Sequence, residues 1–175
     1  MTLAIAGGLG GCDGNTPLME KVMGANPAEA RALLDQGANV EERNKYGWTA
    51  LMHATRLRDG ALCALLIERG ANVNAVDDNQ WTPLIRASQK GNVECVNALL
   101  KRGAAVNARE DTGATALYWA AQQNHLDVIK ALLAAGADTE IQNRDGYTAR
   151  VIAAREGHVD AVDIIDRHLK LKAVP

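Results

Sequence analysis

One spacing governs this chain. Thr stands at positions 16, 49, 82, 115 and 148, a constant step of 33 residues, and Gly stands at 37, 70, 103 and 136 with the same step. A period of this size within 175 residues implies stacked supersecondary units, each too small to bury its apolar face alone and each completed by its neighbours. The clearest unit runs Thr82-Pro83-Leu84-Ile85-Arg86-Ala87-Ser88, then Gly91-Asn92-Val93, and closes on Leu99-Leu100-Lys101-Arg102-Gly103. It reads as two short helices joined by a turn.

Each recurring residue has a physical task in that reading. Thr accepts a hydrogen bond from the free N–H groups of a helix's first turn, and Pro17 and Pro83 occupy a first helical position where a missing N–H loses nothing. Leu18, Leu51, Leu84 and Leu117 follow two residues after the Thr, and Ala54, Ala87, Ala120 and Ala153 five after it, on one helical face. The second helix presents Cys63-Leu66-Ile67, Val96-Leu99-Leu100 and Ile129-Leu132-Leu133, an i, i+3, i+4 stripe with one buried side. The Gly that follows ends it by taking the left-handed conformation. An extended excursion then leads to a tight turn near Gly47, Gly113 and Gly146. Small apolar residues dominate (aromatics are 3% and Phe is absent), which suits closely approaching helices.

At these residues the chain resembles the ankyrin-repeat family, whose marker is Thr-Pro-Leu-His-x-Ala and whose unit is a β-turn plus two antiparallel helices. The resemblance covers residues 14–169. It implies an all-α solenoid of stacked helix-turn-helix units with β-turn or hairpin loops, in five repeats at about 14–43, 44–76, 77–109, 110–142 and 143–169. The His of the marker is replaced throughout, by Met19, Met52, Ile85, Tyr118 and Val151, so apolar contact is expected where the family uses hydrogen bonds between repeats. Gly157-His158 retains the family's Gly-His interhelix junction and Asn124-His125 retains it in part, with both His expected as structural anchors.

The ends depart from the pattern as an uncovered face requires. Glu20, Lys21 and Glu29 make the first unit polar; Arg150 replaces a Leu and Asp166 enters the apolar stripe in the last. Two caps are expected to bound a complete array, with residues 170–175 a fraying tail. Residues 1–13 fall outside the repeat and have two readings. One is a lightly packed leader. The other is the remnant of a lipoprotein signal segment, because Leu9-Gly10-Gly11-Cys12 resembles a bacterial lipoprotein cleavage site with Cys12 as the lipidated residue.

Chemistry is sparse. Cys12, Cys63 and Cys95 make an odd count without a framework spacing, so no disulfide-stapled fold is expected, and Cys63 and Cys95 read as buried, inert thiols. His53, His125, His158 and His168 do not pair at metal-ligand spacing. No metalloprotease, nucleophile-elbow or phosphate-loop motif is present, so the expectation is no enzyme, no cofactor and no metal. A net charge of −2 gives no reason to expect nucleic acid, and no apolar run approaches the ~18 residues a membrane span requires.

What remains is surface. The resemblance implies that turn tips and first helices line a concave groove carrying partner contacts. On this chain that selects Trp48, Trp81 and Tyr147 just before the capping Thr, and Arg56, Lys90, Gln122 and Arg155 further along the first helices. At the tips it selects Arg43, Lys45, Tyr46, Asp78, Asn79, Arg109, Asp111 and Arg144. Trp48 and Trp81 are either exposed anchors or packed flat across the turn; Tyr118 and Trp119 are expected to pack. Seven cations (43, 45, 56, 90, 109, 144, 155) face four carboxylates (78, 111, 145, 156), a net of +3 that Asp77 and Glu110 would lower to +1. That excess is too small to specify an acidic partner. The expected function is protein–protein binding by a monomeric, cytoplasmic module. The alternatives are a periplasmic, lipid-anchored protein with an envelope or stress-protection role, and a small-molecule or metal-dependent activity at the groove.

Overall fold

The computed structural model describes residues 13–57 and 60–172. Among these residues the secondary structure is helical, in five antiparallel pairs: α1 (Pro17–Met23) with α2 (Pro27–Asp35), α3 (Ala50–Arg56) with α4 (Gly60–Glu68), α5 (Pro83–Lys90) with α6 (Val93–Lys101), α7 (Ala116–Gln122) with α8 (Leu126–Ala134), and α9 (Ala149–Arg155) with α10 (Val159–Lys172). First helices pack on first helices and second on second, giving two layers with the core between them.

Every first helix starts the same way. Thr16, Thr49, Thr82, Thr115 and Thr148 have extended backbones, and each hydroxyl accepts the N–H of the residue three further on, at 3.2–3.4 Å. Each such cap contributes about 1 kcal/mol. The second helices are anchored to the preceding unit. The Asn92 side-chain amide donates to the Leu57 carbonyl at 2.5 Å, and the His125 and His158 Nε2–H groups donate to the Gln89 and Gln122 carbonyls at 3.1 Å. A carbonyl can only accept, so each of these His carries its proton on Nε2. They are loop anchors. The closing Gly37, Gly70, Gly103 and Gly136 all have φ between 79° and 90°.

The turn tips repeat a device that the sequence does not advertise by one residue type. Asn44, Asp77, Glu110 and Asn143, again 33 apart, each accept backbone N–H groups two and four residues on. Each also donates its own N–H to the carbonyl four residues on, at 3.0–3.1 Å. Single backbone bonds then join tip to tip, from Asp78 to Tyr46, Asp111 to Asn79 and Arg144 to Thr112. In the tip built on Asp77, Gln80 takes the left-handed conformation (φ 61°) that Gly47, Gly113 and Gly146 take in the others.

The core follows the repeat. Ala54, Ala87, Ala120 and Ala153 are 0% exposed, and Leu18, Leu51, Leu84 and Leu117 at most 2%. Of the residues replacing the marker His, Met19, Met52, Ile85 and Tyr118 are buried; Val151 is 40% exposed, because no further unit covers it among the described residues. The polar substitutions at the two ends find each other. Lys21 pairs with Glu29, and Arg150 forms a two-bond pair with Asp166. Helix α10 continues through Lys172, past the point where a tail was expected.

One expectation is overturned. Cys63 and Cys95 are not free thiols but a disulfide, wholly buried, with Cα atoms 5.6 Å apart. Cys63 lies 14 residues after its Thr and Cys95 lies 13 after its own, so their separation is 32 rather than the array's 33. That one-residue offset lets side chains on α4 and α6, which pack side by side, point at each other. An odd total was no guide, since it counts Cys12, which lies with residues 1–11 outside the described residues.

Candidate functional site

The expected groove comprises the residue before each capping Thr and one face of each first helix. Asn44 and Asp77 fix the first of these positions, since their side-chain oxygens hold the N–H groups of Trp48 and Trp81 at 3.0 and 2.9 Å. Both indoles are half-buried. They are thus neither free anchors nor wholly packed: one part of each ring meets the protein and the rest faces out.

Between them lies Arg86, on the inward face of α5. Its guanidinium stands 3.8 Å from the Trp48 ring centroid and 4.9 Å from that of Trp81. Arg56 covers Trp48 from another side at 5.3 Å, and His53 meets the same ring at 5.0 Å. Trp81 continues to Trp119 at 4.9 Å, and Trp119 meets Tyr118 edge-on at 5.9 Å. The result is a ladder across three helix pairs in which Arg56, Trp48, Arg86 and Trp81 alternate cation and ring before Trp119 and Tyr118 continue it ring on ring. An exposed cation–ring contact is worth about 0.5–1 kcal/mol.

Arg86 is held by Asp77, whose side chain is fully buried and also secures the tip. A buried cation with its counterion removed would be strongly unfavourable, so tip and groove floor depend on the same carboxylate. Burial lowers the Arg86 pKa, and Asp77 opposes that shift. His53 is driven much further, down to about 4, first by burial and then by the charges of Arg56 and Arg86. It is neutral at physiological pH, and its Nε2 has no hydrogen-bond partner within the protein. Arg86 Nε, Trp119 Nε1 and Gln122 Oε1, further along the same floor, are likewise buried and unpartnered.

The residues selected from the sequence fall into separate groups. Trp48, Arg56, Trp81 and Lys90 gather at the ladder. Tyr147 and Arg155 form a second contact, 5.2 Å apart, on the last pair. Gln122 is half-buried, and its carbonyl holds His158. At the tips, Arg43 donates to the Val76 carbonyl at 2.9 Å and Arg109 to the Gln142 carbonyl at 2.8 Å, so both brace the next tip. Lys45 and Tyr46 both contact Asp13, at 3.1 and 3.2 Å. Asp78, Asn79, Asp111 and Arg144 are exposed. Trp119 is half-buried and packs against the core as expected, while also joining the ladder, and Tyr118 is buried as expected. Asp77 and Glu110 turn inward to hold their tips.

His53 and Arg86 are absent from the residues selected by sequence, and Trp119 is assigned there to packing alone. All three lie four residues after the capping Thr, where an inward face should be apolar or small. A polar or aromatic residue at that offset in three consecutive units was the available signal. Chemically the arrangement offers guanidinium groups, aromatic faces and unpartnered polar atoms for binding. No group of three His, Cys, Asp or Glu able to hold a metal occurs among the described residues, and no described helix is long and apolar enough to cross a membrane.

No curated protein is detectably similar to the chain in sequence. The family model described as ankyrin repeats (3 copies) matches at residues 3–77, 56–143 and 109–168. Such repeats are generally protein–protein interaction modules and typically non-catalytic. Because those matches run through every helix pair of the stack, the chain belongs to the ankyrin-repeat family.

Proposed function

We propose that this chain is a non-catalytic, monomeric binding module of five repeats, with the boundaries given above, that docks a partner protein in its concave groove and along its turn tips. The supporting observation is the ladder of Trp48, Arg56, Arg86, Trp81 and Trp119. Half-buried rings braced by guanidinium groups are rigid before binding, so docking sacrifices little side-chain entropy. The test is affinity capture from the source cells with wild type, Trp48→Ala/Trp81→Ala, and a back-face control, Lys101→Gln/Lys130→Gln. A partner lost only with the double Trp variant, while helicity is retained, supports the groove. A partner captured equally by all three chains refutes it.

A second reading concerns where the module works. The Cys63–Cys95 disulfide favours an oxidising compartment such as a periplasm over the reducing cytoplasm, because buried structural disulfides persist where thiols are not kept reduced. This strengthens the periplasmic alternative to the cytoplasmic expectation. Lipidation at Cys12 concerns a residue outside the described region. Trapping thiols at lysis, followed by intact-mass analysis of protein from the source cells, tests the compartment. Full alkylation of Cys63 and Cys95 without prior reduction would return the module to the cytoplasm.

A further inference from the structure

We propose that the depression beside Trp48 receives a carboxylate side chain from an extended, acidic segment of the partner protein, and so sets the groove's specificity. This rests on the groove reading above and names the partner's chemistry. The depression holds about 320 Å3 and is lined by Met23, His53, Arg56, Leu57 and Lys90. Two of these are exposed cations from consecutive first helices, and neither makes an ion pair with a described carboxylate. The lining contains no described carboxylate; Glu20 and Asp78, both exposed, lie outside it.

Three features favour a carboxylate on a protein chain. The buried wall is His53, 94% buried by its 6% exposure, whose Nε2 lacks a partner and whose ring stays neutral, so the wall adds no third charge. Met23, 48% exposed, and Leu57 supply an apolar side for the methylenes of a Glu or for a neighbouring apolar residue. Arg56 offers a planar fork that matches a carboxylate, with Lys90 as a second point charge. A polyanion is disfavoured. Asp78, Asp111 and Asp145 are exposed along the tips, and a chain of net charge −2 gives no continuous cationic track for phosphates.

The test is selection from a random dodecapeptide library displayed on phage, using the full chain as bait. The selected peptides should be enriched in Asp and Glu, and replacing those residues by Asn and Gln in the strongest binder should abolish binding. Arg56→Gln/Lys90→Gln should weaken that peptide roughly five- to thirty-fold, the size expected for two partly solvated charge contacts. The charge-matched control Lys101→Gln/Lys130→Gln should not weaken it. Selected peptides without carboxylate enrichment overturn the proposal, as does acidic binding that survives loss of Arg56 and Lys90. An oligonucleotide that outcompetes the acidic peptide in a manner dependent on Arg56 and Lys90 also overturns it. Binding that depends on Trp48 but not on Arg56 and Lys90 defeats only the acidic specificity. Binding indifferent to Trp48 and to both cations defeats the groove reading itself.

Discussion

Reducing the Cys63–Cys95 disulfide in the otherwise unchanged protein isolates the contribution of one covalent link. Reduction adds two hydrogens and removes no side chain, so no cavity is created and the packing of α4 on α6 is the only native contact at stake. The bond closes a loop with a sequence separation of 32. The chain-entropy relation then assigns the cross-link about 3.7 kcal/mol of stabilisation at 25 °C, acting through the unfolded ensemble. In a stack whose units contact only their neighbours, that energy resists openings that separate α4 from α6 and leaves fraying of α1 or α10 untouched. Urea unfolding followed by far-UV circular dichroism, with and without a phosphine reductant, should show a lower midpoint for the reduced protein. Hydrogen exchange should show the largest loss of protection between residues 63 and 95. Because both sulfurs are buried, reduction should proceed only as fast as the pair opens. Before reduction the denatured chain should show one titratable thiol, and afterwards three. Superimposable unfolding curves, or three thiols without reductant, would refute the reasoning and restore the inert-thiol expectation.

The other predictions concern the ladder and one junction. The folded-state pKa of His53, about 4, lies below its unfolded value of about 6.5, so the folded protein binds fewer protons between these limits. Its stabilising contribution is complete above the unfolded value and is lost as pH falls toward 4, by up to about 3 kcal/mol. His53→Gln should flatten that part of the difference in stability with pH, and equal pH dependence in both proteins would contradict the assignment. Gly91 has φ 70°, and a Cβ there would lie 2.6–2.9 Å from ring atoms of His125. Gly91→Ala should therefore lose more stability in thermal unfolding than Gly103→Ala, where φ is 79° but nothing lies within 4 Å. The shared left-handed strain is about 1–2 kcal/mol, and equal losses would mean that His125 yields at no cost.

Legibility differed with the range over which each feature acts. The Thr caps, the closing Gly and the Leu-Ala faces were readable because each depends on residues within a turn or two along the chain, and the same local solution repeats every 33 residues. The tip device was harder to see. Asn44, Asp77, Glu110 and Asn143 share a role but not a residue type, and only their hydrogen bonds unite them. Several residues assigned to the groove by register have other work in the structure. Arg43 and Arg109 spend their guanidinium groups on neighbouring carbonyls, which no offset along one unit can reveal.

By itself, then, the sequence determined the period, the helix pairs, their caps and the membership of a stack, since all of these are local and repeated. Only the tertiary structure decided which side chains from different units meet. It paired Cys63 with Cys95, set Arg86 between two tryptophans, turned Asp77 inward and left His53 neutral beside Arg56. The physical reason is that these contacts join side chains from different parts of the stack, whose types vary from unit to unit. They depend on a one-residue offset, or on the side-chain directions and distances of two neighbouring helices together, and those quantities exist only once the units are stacked.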